Sequence, residues 1–408
     1  MSGGPGGAAV PTSADDVFFD AASTGTCTIS SGNTGAKSIN CTGFTGTLAG
    51  SAAITVSGSV TLVAGMTYTY TGTLTINGTG TLTTAGKTLG AVTISASGGT
   101  VGLGDALNLG STAFTLSQGT FNTNNFNVTA LQFISTSGSP RAANFGSSII
   151  TLSATGASII AVELSSITNF TLNAGTSTIN LTGLSPNFQG AGVGSAGLTF
   201  YNLTFSNTTA ISSLARIIGR NTFNNLTFTG PSSAGIKGIA LYDSQTINGI
   251  LSTTGTAGNR RVFLTTNPNG LTLTLTINGS VSITDLDIKN VNVVGTASPI
   301  TGTRIGNGGG CSGITFSVAK TVYWATAAGG SWSGNNWSET IGGGANTDNF
   351  PLMQDTASVQ NTGLNTNATI TFDATGGLNY TGAINFASRT NAFTFAGNAQ
   401  IYAHGNIT

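Results

Sequence analysis

Three places in this 408-residue chain bring together side chains that could do chemistry. The first is ITDLDIKN, where Asp285, Asp287 and Lys289 alternate onto one face of a strand while Leu286 and Ile288 take the other. Paired carboxylates on a β-helix face supply the general acid and base of polysaccharide cleavage, and two positions apart they reach either the retaining or the inverting spacing. The plainer reading is a solvated strand face with internal Asp–Lys pairing. The second is SWSGNNWS, in which Trp332 and Trp337 flank a turn-prone Gly334-Asn335-Asn336. With both rings outward, tryptophan faces pack on pyranose rings while Asn335 and Asn336 take hydroxyls; with both inward, the rings seal the end of a core. The third is PTSADDVFFD, whose Asp15, Asp16 and Asp20 offer oxygen to a calcium ion, or of which Asp15 caps backbone amides after Pro11.

Beyond these three, little reads as catalytic. No phosphate loop, HExxH, nucleophile elbow or dinucleotide fingerprint is present, and no cofactor is expected. His404 is the sole histidine, and Glu163 and Glu339 are the only glutamates. Cys27, Cys41 and Cys311 make an odd count; Cys27 and Cys41 read as core thiols or as a disulfide pair, and no histidine or CxxC nearby argues for a metal.

The elements that must carry these residues are strands. From Ala52 to Phe133 short runs alternate apolar residues with Thr, Ser or Asn and break at glycine or Asx about every ten residues. In TYTYTGTLTI the threonines 67, 69, 71, 73 and 75 fall on one face, with Tyr68, Tyr70, Leu74 and Ile76 on the other. Stacked sandwiches or a β-solenoid both fit this pattern. The middle of the chain favours the solenoid: FYNLTF (Phe200–Phe205) returns as FNNLTF (Phe223–Phe228) 23 residues later, with looser cousins at Thr168 and Thr284. That spacing suits one coil of a parallel β-helix, stacking Phe205 on Phe228 and Asn202 on Asn225, with loops of variable length at the corners.

A longer repeat frames the chain. Pro11 and Asp15 match Pro351 and Asp355, both 340 residues on, and INCTG is matched by INFAS with Cys41 on Phe386. Aligning TCTIS with NATIT sets Cys27 on Ala368. The expected organisation is an N-terminal solenoid module (1–136), a central solenoid of 23-residue-type coils (137–302), a Gly/Trp-rich junction (303–345) and a partial second copy of the first module (346–408). On this reading the chain starts inside one copy and stops inside the next, as a piece of a longer repeat protein or one continued by another chain.

Composition narrows the function classes. Only 6% of residues are charged, 12 basic against 12 acidic, while glycine alone numbers 60. An ordinary domain carries about 25% charge. A neutral surface rich in hydroxyls and amides has no footprint for nucleic acid. No apolar run approaches the roughly 18 residues of a membrane span, and the N-terminus lacks a secretion signal's basic and apolar regions.

YWATAAGGSWSGNNWS, followed by a glycine run, Pro-x-x-x-Asp and a strand, resembles a repeat of tailed-phage and metagenomic virion-associated proteins. It is also similar to segments of adhesin-like bacterial surface proteins. NGGGCSGITF before it, and SADDVFFD and INCTGFTGTLAG near the start, share the likeness, which covers residues 1–135 and 303–408 best. The second copy departs from it in keeping only Asp355 of the three aspartates. The resemblance implies an extended, non-enzymatic structural or adhesive β-rich component of a virion, such as a tail fibre, or of a cell surface. Its implied partners are other virion or surface subunits, a homo-oligomer such as a trimer, and a host cell-surface glycan. The competing functions are a β-helix polysaccharide depolymerase or lyase using Asp285, Asp287 and Lys289, and a glycan-binding module using the tryptophans.

Overall fold

The computed structural model describes residues 10–30, 35–156, 158–254, 260–266, 271–372, 378–397 and 400–408. Among them every regular element is a strand, and parallel strands stack as a β-solenoid of about 16 turns. Chain contacts divide it into two compact units: residues 1–154, 159–182 and 188–202, and residues 155–158, 183–187 and 203–408. Strand pairing runs across the expected segments. Arg141–Asn144 pairs with Gly119–Asn122 across the expected boundary at 136/137, and the Trp-rich junction and second copy share a unit with the preceding coils.

In the first unit, Ile39, Val60, Leu82 and Leu103 stand in register on successive parallel strands, steps of 21, 22 and 21 residues. Each coil contains two or more short strands, so the roughly ten-residue rhythm of the sequence is a fraction of a turn. All four side chains are buried, because a strand that stacks in register sends every second residue inward at each level. TYTYTGTLTI keeps the expected faces but not as one strand. Thr67–Tyr68 pairs with Thr47-Leu48, while Leu74–Ile76 pairs with Ile54–Val56 in another sheet. Between them Gly72 turns the corner: a Cβ there would overlap the carbonyl of Ala52 and the Tyr70 ring.

In the second unit, Phe205 and Phe228 are fully buried with ring centroids 5.4 Å apart, the stack expected from the 23-residue repeat. Later coils lengthen, since Leu226 pairs with Leu251 and Leu251 with Val281. Amide ladders join coils at two further places: Asn173 Nδ2 donates to Asn144 Oδ1 at 2.6 Å, and Asn278 Nδ2 to Asn248 Oδ1 at 2.9 Å. Asn202 also donates to Thr178 Oγ1, and Asn225 Oδ1 accepts Ile250 N–H.

Cysteine pairing is resolved in favour of thiols. Cys27, Cys41 and Cys311 are free, and burial pushes the Cys41 thiol up to about 11.

Truncating one member of the aromatic stack leaves a cavity between coils that neighbouring backbone cannot close, because both faces are pinned by ladder hydrogen bonds. Phe228→Ala is expected to cost about 3–5 kcal/mol, read as a lower denaturant midpoint. A cost below 1 kcal/mol would mean that the coils repack around the gap.

Candidate functional site

The two aspartates of ITDLDIKN sit on Ser280–Ile288, whose neighbours in register are Arg260–Thr266 on one side and Thr303–Asn307 on the other. Expected as a solvated face, both carboxylates are instead 0% exposed. Two features produce this. Asp285 adopts a left-handed backbone (φ 56°), and so does Arg304 (φ 55°), the residue opposite it in the next coil. The kink breaks the alternation, so that Leu286, Asp287 and Ile288 are all buried in succession. Beyond the kink, the outer face of these strands is covered by residues 350–355 and by Tyr380. Met353 and Tyr380 pack on Ile236 and Phe263, with the Phe263 and Tyr380 rings 4.8 Å apart.

Arginines that sequence reasoning did not connect with the aspartates neutralise them. Arg304 chelates Asp285 through Nε and, at 3.0 Å, through Nη2, and reaches Asp348 at 3.2 Å. Hydrogen bonding to Asp285 raises the Arg304 pKa. Arg261, 2% exposed, lies 3.1 Å from Asp287 Oδ2, donates to the Pro351 carbonyl at 2.9 Å, and stands over the Phe350 ring at 5.0 Å. Its contact with Asp287 is close but not aligned as a hydrogen bond, and both Asp287 oxygens lack a hydrogen-bond donor. Burial accordingly pushes Asp287 up to about 6, against the pull of Arg261 and with a push from Asp285 and Asp355. Gly306 stands opposite Asp287, and any Cβ there would overlap its carboxylate. The expected partner Lys289 is half-buried one turn of the pleat away, and the ion pairs of Asp285 and Asp287 are to Arg304 and Arg261 instead.

This geometry is a clamp. A general acid must touch its substrate, and these carboxylates face arginines and backbone beneath a covering segment. What Arg261 holds is the Pro-x-x-x-Asp turn. Asp355, 0% exposed, accepts Leu352 N–H on Oδ2 at 2.9 Å and Lys320 N–H on Oδ1 at 3.0 Å. Gln354 ties the same turn to Asn307 N–H and to the Ile305 and Ser317 carbonyls. Asp15 repeats the motif: it accepts Thr12 N–H at 2.8 Å and Thr12 Oγ1–H at 2.7 Å, and Asp15 N–H returns to the Thr12 carbonyl as Asp355 N–H does to Leu352. Those bonds hold the Asp15 carboxyl below the usual range.

The calcium reading is corrected by the same geometry. Asp15 serves its own turn, Asp16 binds Ser38 Oγ and Lys37 Nζ, and Asp20 accepts Ala22 N–H. The three do not converge, and among the described residues no three His, Cys, Asp or Glu side chains gather to hold a metal.

The tryptophan platform is corrected too. Trp332 and Trp337 do share a corner, but both point inward, 1% and 0% exposed, with centroids 4.8 Å apart and edge-on. Trp324 completes the group 5.1 Å from Trp337. Asn336 is spent on the Ser331 carbonyl and Thr326 Oγ1; only Asn335 is exposed. A sugar-stacking surface needs an open ring face, and these rings fill the core over Ile370 and Phe372.

An open groove of about 480 Å³ borders the same turn and is lined by Asn307, Met353, Gln354, Thr356 and His404. Burial and Lys289 lower the His404 pKa.

Two outcomes follow for the clamp. Arg261→Met strands a buried carboxylate and is expected to cost about 3–5 kcal/mol; adding Asp287→Asn should return part of that loss in a double-mutant cycle. Asp287 also makes stability pH-dependent. Its folded pKa of about 6 lies above the unfolded value, so its contribution is fully present below about pH 4 and is lost as pH rises through 6. Asp287→Asn should therefore gain stability relative to the parent between pH 4 and 7 in parallel melts. A flat difference across that range would show that Asp287 does not titrate there.

Searches of family models, of curated proteins and of solved structures each return no match to this chain.

Proposed function

We propose that this chain is a non-enzymatic structural component, a length of β-solenoid built into a phage particle appendage such as a tail fibre, or into a bacterial surface. The observation that carries the reading is where the charge goes. The acid pair that the sequence offers as catalytic is buried to 0% exposure and paired with arginines, one of which holds the turn of the second repeat copy.

Further support comes from the cations. Lys237 Nζ donates to the carbonyls of Phe205, Asn207 and Thr229 at 2.9, 2.5 and 3.1 Å, and Arg389 donates to those of Gln360, Leu364, Asn365 and Ala392. In the first unit Arg141 reaches the carbonyls of Ser135, Ser139, Thr168 and Ser166. These are building uses of charge. The outward rows of threonine, serine and asparagine keep the surface hydrated without a net field, which suits a repeat packed beside many neighbours.

The depolymerase reading has a direct test. Capsular and cell-wall polysaccharides incubated with the chain should release no reducing ends above background. Turnover that disappears in a folded Asp287→Asn variant would overturn the structural assignment.

A further inference from the structure

The two repeat copies can be superposed bond by bond, and they differ in what lies above them. In the second copy Thr356–Ser358 pairs with Ala383–Asn385, and Thr369–Thr371 with Thr394–Ala396. In the first, Asp16–Phe18 pairs with Ser38–Asn40, and Thr26–Ile29 with Thr47–Gly50. The carbonyl of Gly25 accepts Thr47 N–H as that of Ala368 accepts Thr394 N–H. Gly50 and Gly397 turn at φ 114° and 109°, each where a Cβ would overlap the carbonyl of the coil before it, at Ile29 and Phe372. The register thus places Cys27 opposite Ile370 in the repeat, a correction to the alignment with Ala368. Val17 likewise corresponds to Ala357, Phe19 to Val359, Ile29 to Phe372, Ile39 to Ile384 and Leu48 to Phe395.

In the second copy these positions are sealed. Thr321–Trp324 adds to the free edge of Thr356–Ser358, and Gly329–Ser331 to that of Thr369–Thr371. The three tryptophans drop onto the coil, Trp332 lying 5.2 Å from Phe372 and 6.5 Å from Phe395. Ala357, Val359 and Ile370 are each 0% exposed as a result.

In the first copy the corresponding residues stand open. Val17, Phe19 and Cys27 are half-exposed around an apolar hollow of about 100 Å³ that reaches down to Ile29, Ile39 and Leu48. Among the described residues, Asp16–Phe18 and Thr26–Ile29 each have one parallel partner and one free edge. The backbone repeats the message: Asp355 Oδ1 takes Lys320 N–H from the covering coil, whereas the corresponding Asp15 is exposed.

We propose that this hollow is a docking site for a second copy of the tryptophan coil, a segment of the Thr321–Trp337 type supplied by another module of the same repeat. The register follows from the second copy. The incoming Thr-Val-Tyr lies along Asp16-Val17-Phe18, the incoming Gly-Gly-Ser along Thr26-Cys27-Thr28, and the Trp332-type ring fills the hollow over Ile29 and Leu48. One amide of the incoming coil reaches the Asp15 carboxylate. The site therefore joins modules end on by strand addition sealed with aromatics, which is how an unpaired edge is safely covered. The inference rests on repeat geometry alone and is independent of where the protein works.

The test places a second copy of residues 318–349 directly before Val10 in the full chain, the position they hold before Phe350. The three added tryptophans should be shielded from acrylamide, amides of Asp16–Phe18 and Thr26–Ile29 should gain at least ten-fold protection from hydrogen exchange, and the melting temperature should rise. Cys27→Glu, at a half-exposed rim position, should abolish all three gains while leaving the unextended chain folded. Replacing the added Trp332-equivalent by Ser should do the same from the other side. Added tryptophans that quench freely with no new protection, or protection that survives Cys27→Glu, would overturn the proposal.

Discussion

Parallel coils stacked in register satisfy their own backbone along the strands and only in part at the corners. That constraint governs the rest of this structure. Each coil must turn two or more times, and at the turns some carbonyls lie beyond the strand ladder. A buried carbonyl without a donor costs about 1–3 kcal/mol, a penalty that recurs with every coil. The few charged side chains answer it. Lys87 donates to the carbonyls of Ala64 and Met66, Lys237 to three carbonyls, and Arg389 to four. Carboxylates serve the opposite need: Asp105 accepts the N–H groups of Thr84 and Ala85 as Asp15 and Asp355 accept theirs. Burial pushes Lys237 down to about 7, yet three carbonyls take the three N–H bonds of its charged form, so the ammonium is what the corner is built to hold.

The same constraint explains the cost accepted at Arg261. A long loop laid over the outer face of a sheet must be anchored, and hydrophobic contact between Met353, Tyr380 and Phe263 is non-directional. Arg261 adds direction: one guanidinium meets a carbonyl, a carboxylate and an aromatic face. Burying Asp287 to neutralise it leaves a carboxylate poorly bonded, which is unfavourable in isolation. The pair sits where the Pro351–Asp355 turn meets the strands that carry Arg261 and Asp287, and it fixes the direction in which that turn is seated.

Much of this was legible in the residues. Strand rhythm, the 23-residue return of FNNLTF and the 340-residue return of Pro-x-x-x-Asp all reflect local rules of alternation and turn chemistry, and local rules survive in a single sequence. The cap made by Asp15 and Asp355 was legible for the same reason. Asp285 and Asp287 were misread because their fate is decided at long range. Nothing in ITDLDIKN announces a left-handed kink at Asp285, and the partner that positions Pro351 is Arg261, 90 residues earlier. The alignment at Cys27 slipped by two residues because TCTIS and NATIT match in letters, whereas the ladder sets Thr26 with Thr369, each the first residue of its strand.

The tryptophans show how far such a long-range decision reaches. Three large rings beside asparagines have the composition of a sugar site, and only their orientation separates that from a plug. Orientation follows from the strand edge beneath them. Once Thr321–Trp324 and Gly329–Ser331 pair with the coil below, Val322, Trp324 and Trp332 face inward with Ala357, Ile370 and Phe372. A ring held by that pairing cannot also present a face to solvent. In the second copy the tryptophans are therefore the means by which the covering coil closes over the strands beneath it, and they leave no open ring face for a ligand.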